Sequence, residues 1–117
     1  MTERIYLQAY TRAERHLIIE ELREAIAAAG GWIVDFQLFS NLALSITIEI
    51  DPAGPARLVE SLERLDLQLS AESRATALTR SEAPNKKSEG REILVLLNLT
   101  FRQGDGELRL PIPPIPG

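Results

Sequence analysis

Apolar and polar residues alternate at the start of the chain. Ile5, Leu7 and Ala9 lie on one side, with Tyr6, Gln8 and Tyr10 on the other, the period of two of a half-buried strand. A helical pattern follows over residues 12–29, with Ile18, Leu22, Ala25, Ile26 and Ala29 on one face and Glu20, Glu21, Arg23 and Glu24 largely on the other. Thr11 and Glu14 have capping-box spacing at its start, and Gly30-Gly31 supplies a C-terminal stop. Residues 32–39 alternate again, Val34, Phe36 and Leu38 against Ile33, Asp35, Gln37 and Phe39. Residues 42–50 alternate most clearly of all, and the tight Ser40-Asn41 connection makes the two runs an antiparallel hairpin. Pro55 opens a second helix, with Leu58, Leu62 and Leu65 inward; Leu67 and Leu69 then mark a short strand.

Strand, helix, strand, strand, helix, strand is the split βαβ order. The expected fold is therefore α+β, a ferredoxin-like βαββαβ antiparallel sheet with two helices on one face, built from residues 1–70. The open face would carry Asp35, Gln37, Ser45, Thr47 and Glu49. Residues 71–91 show no strong period and read either as a loop or, over 74–79, as an extension of the fourth strand. Residues 92–112 read as a C-terminal β-hairpin turning at Asp105-Gly106, and 113–117 as a proline-rich tail.

The chain has 117 residues, enough for one domain with its own core. It has no cysteine, which excludes disulfides, thiolate metal sites and a cysteine nucleophile. Net charge is -4. Residues 1–70 hold 6 basic and 11 acidic side chains and residues 71–117 hold 7 and 6, so the acidity lies in the expected core and polyanion binding is disfavoured. The apolar run 93–97 is far short of the roughly 20 residues that span a bilayer. The first residues lack a basic-then-apolar signal pattern, so a cytoplasmic location without membrane association is expected.

Chemistry-bearing residues are few. His16 is the single histidine; spaced i, i+4 from Glu20, it reads as a helix-surface ion pair rather than a base or metal ligand. Asp35 and Glu49 read as polar residues of a wet sheet face. Base-stacking aromatics are missing from residues 42–50, which argues against RNA, and Lys86-Lys87 is too short for a nucleic-acid patch. The PxxP spacing from Pro111 to Pro114 is a weak docking signal. No metal, cofactor or catalytic residue is expected. The run 93–97 is apolar on both faces; covering both suggests the returning hairpin or a second subunit, hence a homodimer.

Ala-Gly-Gly-Trp-Ile-Val-Asp-Phe-Gln (29–37), Leu-Ala-Leu-Ser-Ile-Thr-Ile-Glu-Ile (42–50) and Leu-Val-Glu-Ser-Leu (58–62) together resemble an ACT-type regulatory domain, most like those of phosphoserine phosphatases and formyltetrahydrofolate deformylases, over about residues 1–70. The resemblance implies a small ligand, often an amino acid, near the turn from the first strand into the first helix. Here that turn is Tyr10-Thr11-Arg12-Ala13, without the Asp and Gly many ligand-binding members have there. The expected site joins Tyr10, Thr11 and Arg12 to Asp35 and Gln37, with Arg12 and free N–H groups of the helix start taking a carboxylate. The expected function is a stand-alone regulatory or small-ligand-sensing module acting as a homodimer, its ligand an amino acid or small metabolite. The alternative is an interaction subunit that holds a partner protein and takes no small ligand. A small cofactor-free enzyme comes third, on fold analogy alone.

Overall fold

A computed structural model describes residues 3–40, 42–82 and 91–102. In chain order they form β1 (Arg4–Thr11), α1 (Arg15–Ala28), β2 (Trp32–Ser40), β3 (Ala43–Ile50), α2 (Gly54–Glu63), β4 (Gln68–Leu69), α3 (Ala71–Arg80) and β5 (Ile93–Phe101). The strands make one mixed sheet in the order β2-β3-β5-β1-β4. The fold is thus α+β.

A simple ferredoxin-like unit would set β3 beside β1. Here β5 lies between them, parallel to β1 from Arg4↔Leu94 to Thr11↔Phe101 and antiparallel to β3 from Ala43↔Thr100 to Ile50↔Ile93. The sequence placed this strand in an appended hairpin; instead it is the middle of the sheet. Its position accounts for its composition, because a central strand is covered on both faces. Ile93, Val95, Leu97, Leu99 and Phe101 are buried under the helices, and Leu94 and Leu96 are half-buried on the other face between neighbouring strands. The sheet itself gives this run much of its cover, so the run no longer calls for a second subunit. The hairpin's return and the proline-rich tail, on residues 103–117, lie outside the described residues, as does Lys86-Lys87.

The stretch read as a loop or strand extension is helical over Ala71–Arg80. The Ser70 hydroxyl caps α3, accepting the Ser73 N–H at 3.1 Å, which fits the N-cap preference for serine. Only Ser73 and Ala77 are buried in it. Its inward stripe is two small residues, without the large apolar side chains that mark α1 and α2, which hides the helix from its sequence.

Two β-bulges correct the expected facing of β2. Register shifts lie between Ile33 and Asp35 and between Leu38 and Ser40, making Val34 and Phe39 the extra residues. Ile33, Phe36 and Leu38 pair with Ile48, Ile46 and Leu44 on the helix side. Asp35 and Gln37 pair with Thr47 and Ser45 on the open side, as expected, whereas Val34 leaves the inward row.

Helix α1 starts later than the capping-box spacing suggested. Thr11 is still strand, paired with Phe101, and Glu14 is the N-cap, its carboxylate accepting the N–H groups of His16 (3.0 Å) and Leu17 (3.2 Å). All five expected inward residues are buried. The helix ends in a Schellman motif: Gly30 has φ +88°, its N–H bonds to Ala27 O, and Gly31 N–H bonds to Ile26 O, each at 3.0 Å. Arg57 closes the same end, Nε donating to Ala29 O at 3.1 Å. Helix α2 begins at Gly54, one residue before the expected start, at a position where a Cβ would collide with the Ile50 side chain. Its Ala56 N–H is taken by Ser81 Oγ. The core lies between the sheet and the helices, around Leu7, Ile46, Leu97, Leu22, Leu58 and Leu62.

Candidate functional site

Strands β1 and β5 run parallel, so their carboxyl ends lie side by side. Arg12 follows one and Arg102 follows the other, and Arg102 N–H donates to Thr11 O at 2.7 Å. The Arg102 guanidinium carbon stands 4.2 Å from the Tyr10 ring centroid, a cation–π contact. Antiparallel pairing with β4 sets Gln68 opposite Tyr10. The Thr11 hydroxyl donates to Asp66 O and accepts Ala13 N–H at 3.0 Å, fastening the turn before β4 to the end of β1. Together Tyr10, Thr11, Arg12, Asp66, Leu67, Gln68 and Arg102 line an open cleft of about 450 Å³, within the size range of small-ligand sites.

The structure brings Tyr10, Thr11 and Arg12 into this cleft but not Asp35 and Gln37. Those two sit on β2, with β3 and β5 intervening before β1, about 14 Å away at the usual interstrand spacing. The inserted strand is the physical cause. The expected help from the start of α1 also falls away: Glu14 occupies the N–H groups of His16 and Leu17 and places a negative charge there. His16, exposed, pairs with Glu14 through Nδ1 at 3.0 Å rather than with Glu20.

Asp66, Leu67, Gln68 and Arg102 were missed. The first three had a signal, since the split βαβ order already puts the fourth strand beside the first. Arg102 had none, because its place depends on β5 entering the sheet next to β1. A second cleft of about 310 Å³ lies between β1 and α3, lined by Arg4, Tyr6, Gln8, Glu72, Thr76 and Arg80 among others. Among the described residues no group of three His, Cys, Asp or Glu side chains is placed to hold a metal ion, and no helix is long and apolar enough to cross a membrane.

On the open face Glu49 accepts the Trp32 indole N–H at 3.1 Å. The neighbouring Glu92 carboxyl titrates above the ordinary value of 4.5, first through desolvation and then through its hydrogen bond with Glu49 and that residue's charge. Glu14 titrates below 4.5, chiefly because its carboxylate accepts the His16 backbone N–H. The two act on stability in opposite senses. The Glu92 contribution is present below pH 4.5 and is lost as pH rises through its raised value. The Glu14 contribution is present above 4.5 and is lost as pH falls through its lowered value. In urea titrations across a pH series, Glu92→Gln should remove the stability gained on mild acidification. Glu14→Gln should remove a separate loss at lower pH. Unchanged pH profiles in both variants would contradict these contacts.

Compared with known proteins, the chain matches no protein family, no curated protein and no solved structure.

Proposed function

We propose that this chain is a regulatory or small-ligand-sensing module whose ligand is a small zwitterion of the amino-acid type, bound in the cleft at the carboxyl ends of β1 and β5. One observation carries the reading: two arginines, Arg12 and Arg102, line the same cleft as the acidic residue Asp66. Arginine suits a carboxylate because its planar fork donates two parallel hydrogen bonds. An acid nearby suits an ammonium group. The Arg102–Tyr10 stack holds one cation in a fixed orientation. The ACT-like pattern of residues 29–62 supports the same reading. So does the sheet, which without β5 has the order β2-β3-β1-β4, that of a ferredoxin-like unit with one strand added at its centre. The module acts by binding.

A thermal-shift screen with amino acids and related metabolites tests this. A ligand at about 100 times its dissociation constant adds about 2.7 kcal/mol, a rise of several degrees for a domain of this size. Arg12→Ala and Asp66→Asn should each abolish the rise while shifting the midpoint of the unliganded protein by no more than about 3 °C. A flat screen with the wild-type chain would sink the sensor reading and favour an interaction subunit.

A further inference from the structure

The two edges of the sheet are finished differently. Along β1, β4 pairs with Ala9 and Tyr10, Ser70 N–H donates to Gln8 O at 2.9 Å, and Gln8 N–H donates to Ser73 Oγ at 2.8 Å, with α3 alongside. Along β2, nothing among the described residues pairs with the outer edge. A bare edge offers a row of N–H and C=O groups to any strand, and proteins that keep one bare protect it with lysine, proline or short length. Strand β2 is nine residues long, has neither lysine nor proline, and carries Asp35 as its single charge. Two bulges bend it, but the apolar surface remains. Trp32, Val34, Leu38, Phe39 and the adjoining Leu42 are 48–65% exposed, five of the eight large apolar side chains exposed among the described residues.

Backbone alternation shows which groups point outward. Leu42 O accepts from Phe101 N–H at 2.8 Å, so Leu44, Ile46 and Ile48 direct their backbone groups to β5, while Ser45, Thr47 and Glu49 direct theirs to β2. Their partners Gln37, Asp35 and Trp32 face back. Phe36 and Leu38 are left with N–H and C=O pointing away from the sheet.

We infer that this edge docks a second copy of the chain, β2 against β2 and antiparallel about a two-fold axis, making one continuous sheet from two five-stranded ones. The charges fit a copy. The Arg23 guanidinium lies over the Phe36 ring, 5.9 Å from its centroid, so the side of α1 overhanging the edge carries Arg23. Helical spacing adds His16, Ala27 and, at the outer rim, Glu20. Two such stripes running antiparallel set Glu20 of each copy opposite Arg23 of the other. Because Arg23 stands above Phe36, the same axis crosses β2 near Phe36 or Gln37, where Asp35 meets a neutral residue instead of its own copy. A uniformly acidic or basic partner would leave one charge of the stripe opposed by its like. The ligand cleft lies at the far edge, so this interface does not depend on the sensor reading.

Sedimentation velocity across a concentration series should find a dimer. Val34→Lys puts a charge on the bulge and should raise the dissociation constant by about tenfold or more. Arg23→Glu should weaken the dimer, and Glu20→Arg in the same chain should restore it. The chain has no cysteine of its own. A single Gln37→Cys should therefore oxidise to a linked dimer, whereas Gln68→Cys, on the opposite edge, should not. A wild-type monomer at every concentration overturns the inference. So does a dimer that is indifferent to Val34→Lys and cross-links through Gln68→Cys.

Discussion

A chain ending at Glu82 is expected to be unfolded, although it retains every element of the βαββαβ pattern. Such a truncation removes β5, and with it five buried side chains, Ile93, Val95, Leu97, Leu99 and Phe101. At about 1.5–3 kcal/mol each, their burial contributes about 8–15 kcal/mol, as much as the whole stability of a typical domain, about 5–15 kcal/mol. The remaining strands also lose their hydrogen-bonding partner, since β1 and β3 each give β5 one edge across eight residue pairs. Far-UV circular dichroism and amide proton dispersion would show the loss. A cooperative thermal transition in residues 1–82 would mean that β1 and β3 can close on each other directly, and the central role assigned to β5 would be wrong.

Within the full chain, Leu97→Ala should be among the most damaging single changes, at about 2–5 kcal/mol. Leu97 is fully buried at the middle of the central strand, opposite Leu7 on one side and Ile46 on the other, both themselves at most 1% exposed. Neighbours held on three sides by sheet and helices cannot collapse into the space a lost isobutyl group leaves. Asn98→Ala is the matched control: one residue on, it faces the open side and is exposed, so the change should lie within about 0.5 kcal/mol. Urea titration should show the midpoint falling for Leu97→Ala with an unchanged slope. A loss under about 1 kcal/mol would contradict the packing described.

Local periodicity made the first 70 residues legible. The inward faces of β1, α1, β3 and α2 followed from it, and so did the left-handed turn at Gly30. Asp35, Gln37, Ser45, Thr47 and Glu49 do share the open face. Long-range placement was not legible. Nothing in residues 93–101 states whether an apolar strand sits at an edge or a centre, although apolar residues on both of its faces pointed to full burial. Helix α3 was hidden because its inward residues are Ser73 and Ala77, and the β2 bulges because a single extra residue leaves the composition of a strand unchanged. The candidate cleft was half legible for the same reason. Its β1 side is local, whereas Arg102 arrives through a parallel pairing spanning about ninety residues of chain.

That pairing also sets when the sheet can close during synthesis. Among the strands of the described residues, the one at the middle of the sheet is translated last. Until residues 93–101 leave the ribosome, β1 and the β2–β3 hairpin have no strand to join them, and the apolar faces of α1 and α2 have only part of a surface to cover. Secondary structure can form early, but the sheet closes only once residues 93–101 have been made. A nascent chain therefore keeps unpaired strand edges exposed until β5 emerges, the condition in which chaperones engage and misassembly begins. Closure on the arrival of β5, rather than progressive folding from the N-terminus, is the behaviour this topology imposes.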